Sequence, residues 1–348
     1  MKKVITLFVI IISMTVLFSA CKSSDDSDVE ESASPVETYE DEYDGYTNPL
    51  TGEPMDEDIS GNRPFAVMFN NTQIALPQHG TSEVDIFYEM LAEGGVTRIL
   101  GVYQDISDVG DIGTIRSVRS YFLDCVQGLD AILIHAGGSD MAYEDIETRG
   151  VDHIDGVKGT GDIFFRDSER IASIGSEHSM FTSSELIEKN ISNYSFGTEH
   201  DSDYSYEMKF ADDGTPQNGS SASGVEVVFS DYKTGLFEYD ADKGVYYVSE
   251  YSEAYIDGNN DEQVSVTNVL VLYSGFTPVT GTTLLQTNLV GSGSGYYACG
   301  GEYVPITWSK DSYTDQFVYT LEDGTEVVFG CGKSYINIVP TDTEVNFK

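Results

Sequence analysis

Two arginines near the middle of the chain could together bind an anion. Arg116 and Arg119 are three residues apart, a spacing that places both side chains on one side of a helix. A guanidinium pairs with a carboxylate or a phosphate through two hydrogen bonds, and the start of a helix is electropositive. The pair therefore predicts an anion site, unless local acids such as Asp111 or Asp124 neutralise both arginines.

A second candidate lies where a short apolar strand is predicted to enter a glycine turn. Residues 131–135 end in His135 and are followed by Gly137, Gly138 and Ser139. Such a turn before a helix leaves backbone N–H groups available to a ligand oxygen, and ligand sites in open α/β sheets form at strand ends. The segment matches none of the P-loop, GxGxxG and GxSxG patterns. The alternative is a tight turn with a buried, hydrogen-bonded histidine.

His178 is the third candidate, since it precedes a predicted helix and could act as a base or a ligand. Glu89 and Glu93, from a predicted hairpin, and Arg98 could lie beside it. Together with Ser139, these residues could form a catalytic or ligand-binding group. Spacing along the chain does not by itself bring them together, so ordinary structural roles are the alternative.

The first folded half has to position these residues, and its pattern alternates between strands and helices. Ser117 is a suitable N-cap for the helix that would carry both arginines. The predicted elements are a strand over 63–70, a hairpin of 86–92 and 96–103, a helix over 117–127, a strand over 131–135, a helix over 140–149 and a last helix after the capping segment 182–185.

The second half is predicted to contain strands only, a pattern typical of a small sandwich or barrel. The glycine-rich segment 291–295 is predicted to be a flexible connection between strands. The predicted strands cover 225–229, 235–240, 244–250, 266–273, 303–309, 316–321, 326–329 and 334–339.

The predicted fold class is α+β, with a mixed α/β domain over 48–200, a polar linker over 201–224 and a smaller, mostly antiparallel all-β domain over 225–348. All seven arginines and all five histidines precede residue 201. A polar site is therefore expected in the first domain.

The first twenty residues have the form of an export signal. Lys2 and Lys3 supply positive charge, and residues 4–20 are uncharged and mostly apolar. The run ends before Cys21, as in a bacterial lipoprotein signal, in which the cysteine thiol receives a diacylglycerol anchor. This predicts attachment to the outer face of the bacterial cytoplasmic membrane. The alternatives are a plain cleaved signal and an uncleaved anchor.

Residues 21–47 are predicted to be a disordered acidic tether, because ten acidic and one basic side chain leave little apolar surface to bury. The whole chain of 348 residues has 59 acidic and 18 basic side chains, for a formal net charge of −41. This charge repels nucleic acid, so no nucleic-acid partner is expected.

Three cysteines remain besides Cys21, an odd number that argues against a disulfide framework. Cys299 and Cys331 lie in strand-like segments and could pair, whereas Cys125 is predicted to be a buried thiol. The sequence has no CxxC pair and no zinc-ligand spacing, and residues 257–261 lack the glycine and glutamate of a calcium EF-hand. No metal or cofactor is therefore predicted.

Several motifs together resemble the YerB-type bacterial lipoprotein family. The resemblance covers residues 48–348 and implies an exported, lipid-anchored, two-domain protein of largely unknown function, with no established catalytic residues. The chain departs from the pattern at Glu177 and Ser179, where proline and asparagine would flank His178. The motifs are Asn48-Pro-Leu-Thr-Gly52, Arg63-Pro64, Glu93-Gly-Gly-Val-Thr-Arg98, Ile115-Arg-Ser-Val-Arg119, His135-Ala-Gly-Gly-Ser139, His178-Ser-Met-Phe-Thr-Ser183, Gly291-Ser-Gly-Ser-Gly295, Trp308-Ser-Lys310, Gly324-Thr-Glu-Val and Ile338-Val-Pro340.

The leading hypothesis is a non-enzymatic lipoprotein of the cell envelope, anchored to the membrane through Cys21. Arg116, Arg119 and the amides of 137–139 would hold an anionic group of a wall glycan, a peptide carboxylate or a teichoic phosphate. The protein could also assist wall-synthesis enzymes.

Two other functions are consistent with the sequence. A hydrolase or transferase acting on envelope glycan would use His135, His178 or Glu89 as its acid or base. A protein-interaction module would use the all-β domain as its binding platform.

Overall fold

The computed structural model describes residues 45–159 and 162–348. The predicted signal peptide over 1–20, Cys21 and the predicted tether up to residue 44 lie outside the described residues. Within the described part of the chain, no helix has both the length and the apolar character that a membrane span requires.

The first half combines short helices with strands. Helix α2 is capped by Ser139, whose Oγ accepts a hydrogen bond from the N–H of Ala142 (3.2 Å), and it ends at Gly150 in a left-handed conformation (φ 67°). The elements are α1 (Phe122–Gly128), α2 (Asp140–Arg149), α3 (Ser168–Ile174), α4 (Ser184–Asn190), β1 (Tyr46–Thr47), β2 (Pro54–Met55), β3 (Phe65–Asn71), β4 (Ile86–Leu91), β5 (Thr97–Tyr103), β6 (Asp111–Gly113), β7 (Ile132–His135), β8 (His153–Asp155), β9 (Phe165–Arg166) and β10 (Met180–Ser183).

The second half contains strands and no α-helix within its described residues, as the turn-separated pattern predicts. Its strands are β11 (Phe210–Ala211), β12 (Ser220–Ser221), β13 (Gly224–Ser230), β14 (Lys233–Asp240), β15 (Val245–Glu250), β16 (Glu253–Ala254), β17 (Ser265–Val266), β18 (Asn268–Ser274), β19 (Thr277–Pro278), β20 (Leu285–Gln286), β21 (Gly291–Cys299), β22 (Glu302–Lys310), β23 (Val318–Thr320), β24 (Phe329–Gly330), β25 (Ser334–Pro340) and β26 (Glu344–Phe347).

One eleven-stranded sheet passes through both halves. Its order is β12-β22-β21-β18-β25-β4-β5-β3-β7-β8, with β23 also paired to β22. The halves meet where β25 runs parallel to β4, in a register that pairs Ser334 with Ile86 and Ile338 with Met90. Most other pairings are antiparallel, but β18 with β25, β3 with β7 and β7 with β8 are parallel.

The large sheet is covered on both faces, because alternate residues along its strands point to opposite sides. Tyr88 belongs to a core that includes Phe122 of α1. Its neighbour Phe87 belongs to the second core, with Val227 and Phe237 of a six-stranded antiparallel sheet. That second sheet has the order β16-β15-β14-β13-β26, with β17 beside β15. The polar linker predicted over 201–224 contributes β12 to the edge of the large sheet and β11 to a separate two-stranded sheet with β24.

The second core contains a fully buried ionic cluster. The Lys233 ammonium lies 2.8 Å from Oε1 of Glu89 and also contacts Oε2 of Glu250, and all three side chains have zero exposure. We call these three residues the Lys233 cluster. Glu89 comes from β4, whereas Lys233 and Glu250 come from β14 and β15. The cluster therefore joins the large sheet to the smaller one.

Neutral side chains complete the Lys233 cluster. Asn71 Nδ2 donates to Oε1 of Glu89 (3.0 Å) and to Oε2 of Glu250 (3.1 Å). The Tyr335 hydroxyl donates to Oε2 of Glu89 (2.7 Å). Burial and repulsion from Glu89 raise the pKa of Glu250 to about 7, although Lys233 and Asn71 partly oppose the shift. For Lys233, burial lowers the pKa, but attraction to the two carboxylates outweighs it and gives a net rise.

The predicted helix over 117–127 begins later than expected, at Phe122. The backbone around Arg116 and Val118 is extended instead. The Arg116 N–H donates to the carbonyl of Met68 (2.8 Å), and the Val118 N–H donates to the carbonyl of Gly137 (3.0 Å). These contacts to distant segments keep residues 115–118 out of a helix. Ser117 is therefore not a helix cap.

The segment 291–295 was expected to be a flexible connection, and that expectation is wrong. It forms the first half of β21, paired along its whole length with β22. A Cβ atom at Gly293 would lie 2.6 Å from the indole nitrogen of Trp308, and one at Gly295 would lie 2.4 Å from the carbonyl oxygen of Val271. Glycine is required here because neighbouring groups approach the backbone closely.

The three cysteines within the described residues are free thiols. Cys125 is buried, as predicted, and burial raises its pKa. Cys299 and Cys331, which the sequence suggested could pair, are not bonded to each other. The fold is therefore held by packing and polar contacts rather than by a disulfide between these strands.

Replacing Lys233 by methionine should destabilise the fold strongly. The change leaves two carboxylates buried without their cation, which typically costs about 3–5 kcal/mol. Urea denaturation of K233M would measure the loss. The control is Lys243→Met at an exposed turn, where no measurable loss is expected. Equal stability of K233M and the wild type would show that the cluster does not stabilise the fold.

The same cluster predicts a pH dependence of stability. The pKa of Glu250 is about 7 in the folded protein and ordinarily 4.5, so this carboxyl binds more protons in the folded state. Its contribution to the unfolding free energy should fall as the pH rises from about 4.5 to about 7, by up to ~3 kcal/mol.

Glu250→Gln should remove that decline, as measured by urea denaturation across this pH range. Glu253→Gln, an exposed substitution on the adjacent strand, is the matched control and should keep the wild-type slope. The same slope in E250Q and the wild type would refute the assignment.

Candidate functional site

A cleft of about 480 Å³ opens where β7 and β8 end. One wall is the extended segment 115–117, which hydrogen-bonds to both neighbouring walls: the Ala136 N–H donates to the carbonyl of Arg116 (3.0 Å), and the Ile115 N–H donates to that of Met180 (2.7 Å). We call this space the cationic cleft, after three side chains that line it: Arg116, Lys158 and Arg166.

The glycine turn after β7 is held by a carboxylate. Gly137 has a left-handed backbone (φ 78°), which favours glycine. Asp155 Oδ1 accepts hydrogen bonds from the N–H groups of Gly137 and Val157 (both 2.8 Å), and Oδ2 accepts one from the Tyr143 hydroxyl (2.7 Å). Burial raises the pKa of Asp155, but these bonds outweigh it and give a net decrease. The Gly137 amide is therefore occupied, contrary to the expectation that it is free for a ligand.

Gly138 and Ser139 have different positions at the same turn. Gly138 lines the cationic cleft. Ser139 does not: its Oγ caps α2, and its N–H donates to the carbonyl of Val118 (3.3 Å). Ser139 thus has a structural role at the helix start, and its hydroxyl is not aimed at the cleft as a nucleophile.

His135 supports the turn from inside the protein and has no exposed surface. Its Nδ1 lies 2.8 Å from the carbonyl oxygen of Gly137, which can only accept, so Nδ1 carries the proton. Its Nε2 must then accept from Nδ1 of His153 (2.9 Å). Burial lowers the pKa of His135 to about 4. The ring is therefore neutral at physiological pH and fixes the turn, instead of facing a ligand.

The cationic cleft brings together three positive groups in an acidic protein. Arg116 is 29% exposed and lies 3.4 Å from a carboxylate oxygen of Glu177, which is 62% exposed. Lys158 Nζ lies 3.1 Å from the centre of the Tyr143 ring. Among the described residues, no carboxylate lies within 4.0 Å of Lys158 or Arg166, so two of the three cations have no anionic partner.

His178 is nearly buried and contacts the edge of this site through Glu177. Asn70 Nδ2 lies 2.8 Å from Nδ1 of His178, while Asn70 Oδ1 accepts from the Thr72 hydroxyl (3.0 Å). The amide therefore donates to Nδ1, and Nε2–H points at Oε1 of Glu177 (3.2 Å). Glu177 thus bridges His178 and Arg116.

Arg119 and Arg98 belong to a separate ionic group. Arg119 pairs with both carboxylate oxygens of Glu93, at 2.5 and 2.7 Å, and Arg98 lies 3.4 Å from the same carboxylate. Arg98 also donates to the carbonyl of Ser117, and burial with repulsion from Arg119 lowers its pKa to about 9. Arg116 and Arg119 therefore do not converge on one anion. Their carboxylate partners are Glu177 and Glu93, not the Asp111 and Asp124 considered from the sequence.

Glu89 lies apart from the cationic cleft, inside the Lys233 cluster. Of the residues proposed from the sequence, the structure places Arg116, Gly137 and Gly138 in the cleft, with His135 beneath it and His178 at its edge.

Sequence reasoning missed Lys158, Arg166, Tyr143, Asp155 and Glu177. The scarcity of cations is a signal that could have drawn attention to Lys158 and Arg166, because only 18 basic residues occur in the chain.

No cluster of three or more His, Cys, Asp or Glu side chains in residues 45–159 and 162–348 is arranged to hold a metal ion. The calcium-like segment 257–261 has a structural role. Asp257 is buried and accepts hydrogen bonds from the N–H groups of Gly80 (2.9 Å) and Ser82 (2.7 Å). Its oxygens therefore join this loop to the first half of the chain.

Two family profiles match the chain. Residues 50–197 match the N-terminal domain, and residues 225–336 match the C-terminal domain, of a protein of unknown function termed DUF3048. Strands from both matched regions lie in the eleven-stranded sheet.

A curated relative and a solved structure agree with these matches. The chain is 27% identical over 296 residues to the Bacillus subtilis (strain 168) protein named "Putative lipoprotein YerB", an alignment that covers 84% of this chain and 86% of the relative. The crystal structure of YerB from Bacillus subtilis superposes with a TM-score of 0.76 at 25% identity, covering 86% of this chain and 99% of the other.

Proposed function

Because the chain belongs to the DUF3048 family, matching both of its domains, we propose that it is a lipid-anchored envelope protein that binds an anionic group in the cationic cleft. The ligand would be a phosphate or carboxylate carried by a component of the bacterial cell envelope. The protein would work by binding, as an accessory of the envelope, and not by turnover.

The anchoring part of the proposal rests on the start of the sequence and on the relative. Residues 1–20 have the charge and apolar pattern of an export signal, and Cys21 follows directly. The relative that aligns with most of the chain is named as a lipoprotein. Lipid chains on Cys21 would hold the protein at the outer face of the cytoplasmic membrane.

The ligand-binding part rests on one observation, the meeting of Arg116, Lys158 and Arg166 in a single cleft. Residues 45–348 have 49 acidic and 15 basic side chains, a formal net charge of −34. In such a protein, cations are expected to pair with the abundant carboxylates. Lys158 and Arg166 have no such partner among the described residues. Arg166 donates to the uncharged oxygens of the Ser176 carbonyl and the Ser179 hydroxyl, so its positive charge is not neutralised.

The negative charge of the rest of the protein does not prevent binding in the cleft. Exposed charges farther away than about 8 Å are largely screened at physiological ionic strength. The nearest competitor is Glu177, whose pair with Arg116 is long and largely exposed, and such pairs stabilise weakly. A phosphate or carboxylate could replace Glu177 as the partner of Arg116.

The acid–base candidates favour binding over catalysis. His135 is fully buried, its pKa is about 4, and both ring nitrogens are hydrogen-bonded. Glu89 is enclosed in the Lys233 cluster. His178 faces Asn70 on one side and Glu177 on the other. Each of these groups already has protein partners, as expected of structural residues.

The anchor can be tested by replacing Cys21. Expression in a bacterial host with an alkyne-labelled palmitate should label the wild type, and Cys21→Ser should lose the label and leave the membrane fraction. Cys331→Ser, which changes a half-buried thiol in the folded part, is the matched control and should keep the label. A labelled C21S protein would contradict anchoring at this cysteine.

The cleft can be tested by calorimetric titration with glycerol phosphate, and with glutarate as a carboxylate probe. The double variant Arg116→Gln with Arg166→Gln should bind at least about tenfold more weakly, because each charged hydrogen bond contributes about 1.5–3 kcal/mol. Glu177→Gln should bind more tightly than the wild type, since a competing carboxylate is removed.

Lys189→Gln, at an exposed cation outside the cleft, is the control for general charge effects and should bind as the wild type does. If neither probe binds the wild type, or if K189Q and the double variant weaken binding equally, the proposal for the cleft is wrong. Unfolding curves of the variants would show that a loss of binding is not a loss of fold.

A further inference from the structure

We propose that a second cleft, between helices α1 and α2 and the strands that follow β18, binds an uncharged, hydroxyl-rich ligand such as a sugar ring. This cleft has a volume of about 360 Å³, and Asp124, Arg149, Thr277, Gln286 and Tyr313 are among its lining residues. We call it the neutral cleft. It is independent of the anion site proposed above.

The floor of the neutral cleft is a fixed polar network. Asp124, whose side chain is 4% exposed, accepts a hydrogen bond from Nη1 of Arg149 (2.7 Å). The other nitrogen of the same guanidinium lies 3.0 Å from Asp145, which also accepts a hydrogen bond from the Ser120 hydroxyl. This network fixes the Arg149 guanidinium and, through it, the Tyr313 ring that lies against it, so the wall that a sugar ring would contact is held in place.

The acidic groups around this network slightly outnumber the basic ones, since Asp315 also acts on Lys310 as a third carboxylate. Asp124 and Asp145 contribute two negative charges, and Arg149 contributes one positive charge. The buried ammonium of Lys310 supplies the other, because it attracts Asp124 electrostatically and donates to the carbonyl of Tyr313 (3.1 Å). The cleft therefore has no excess of positive charge that would attract an anion, in contrast to the cationic cleft, and this favours an uncharged ligand.

The rim of the cleft contains polar side chains that make no hydrogen bonds to other described residues. Among the described residues, the side chains of Thr277 and Gln286 have no hydrogen-bond partner. Tyr313 is 45% exposed, and its ring is fixed by the Arg149 guanidinium, whose carbon lies 3.8 Å from the ring centre. An exposed aromatic ring beside free amide and hydroxyl groups suits a ligand with alternating C–H and O–H surfaces.

The position of the neutral cleft also supports a ligand site. Asp124 and Arg149 come from the region that matches the N-terminal family domain, whereas Thr277, Gln286 and Tyr313 come from the region that matches the C-terminal one. Ligand sites occur preferentially at such junctions. A sugar bound here would contact both regions at once.

Calorimetric titration of the purified protein with N,N′-diacetylchitobiose and with cellobiose tests the proposal. The wild type should bind at least one of the two in a saturable manner. The double variant Thr277→Ala with Gln286→Ala, at exposed positions, should bind at least about tenfold more weakly, and so should Tyr313→Ala, because several hydrogen bonds and the aromatic contact are lost.

Two controls separate this site from general effects and from the cationic cleft. Tyr232→Ala, at a tyrosine that is 56% exposed elsewhere on the surface, should bind the sugar as the wild type does. The double variant R116Q with R166Q should also keep sugar binding, so that failure of the anion site and failure of this site are distinguishable. No binding of either disaccharide to the wild type, or equal binding by T277A/Q286A and the wild type, would overturn the proposal.

Discussion

The union of the two halves of this protein depends on a buried ammonium held between two carboxylates. Lys233 reaches from the smaller sheet into the second core and meets Glu89 of the large sheet and Glu250 of its own sheet. Three ions without any exposure are costly to desolvate, so they are stable only while their mutual distances are short and their remaining oxygens are hydrogen-bonded. Asn71 and Tyr335 supply those bonds. The cluster therefore fixes how one sheet lies on the other.

This arrangement places strands from both family domains in one continuous sheet. The parallel pairing of β25 with β4 makes a strand near the end of the chain a neighbour of a strand in the first half. Two clefts form beside the segment between residues 115 and 121, one at the ends of β7 and β8 and the other against the strands after β18. Their charges differ, since Arg116, Lys158 and Arg166 line the first cleft, whereas the second has no excess of positive charge. The two clefts therefore suit two different kinds of chemical group.

Parts of the candidate site were predictable because they depend on local signals. Ser139 and Gly150 mark the limits of α2, and the structure has a helix between them. The turn at Gly137 follows a short apolar run, and Arg116 lies in the cleft beside it. Partners far apart in the sequence were not predictable. Arg119 pairs with Glu93, which lies 26 residues away in the sequence. The helix expected from Ser117 does not form there, because the backbone of residues 116 and 118 is bonded to Met68 and Gly137.

The sequence by itself determined the strand-rich character of the second half, the helices over 140–149 and after residue 183, and the resemblance to an exported lipoprotein family. Each of these follows from residues that are close together or from motifs in a fixed order. Only the tertiary structure decided which cations remain without an acid, because this depends on distances between side chains. It also showed that Glu89 and His135, which the sequence offered as acid–base candidates, are buried structural residues. Desolvation and hydrogen bonding are properties of the packed protein, so the sequence alone could not show this.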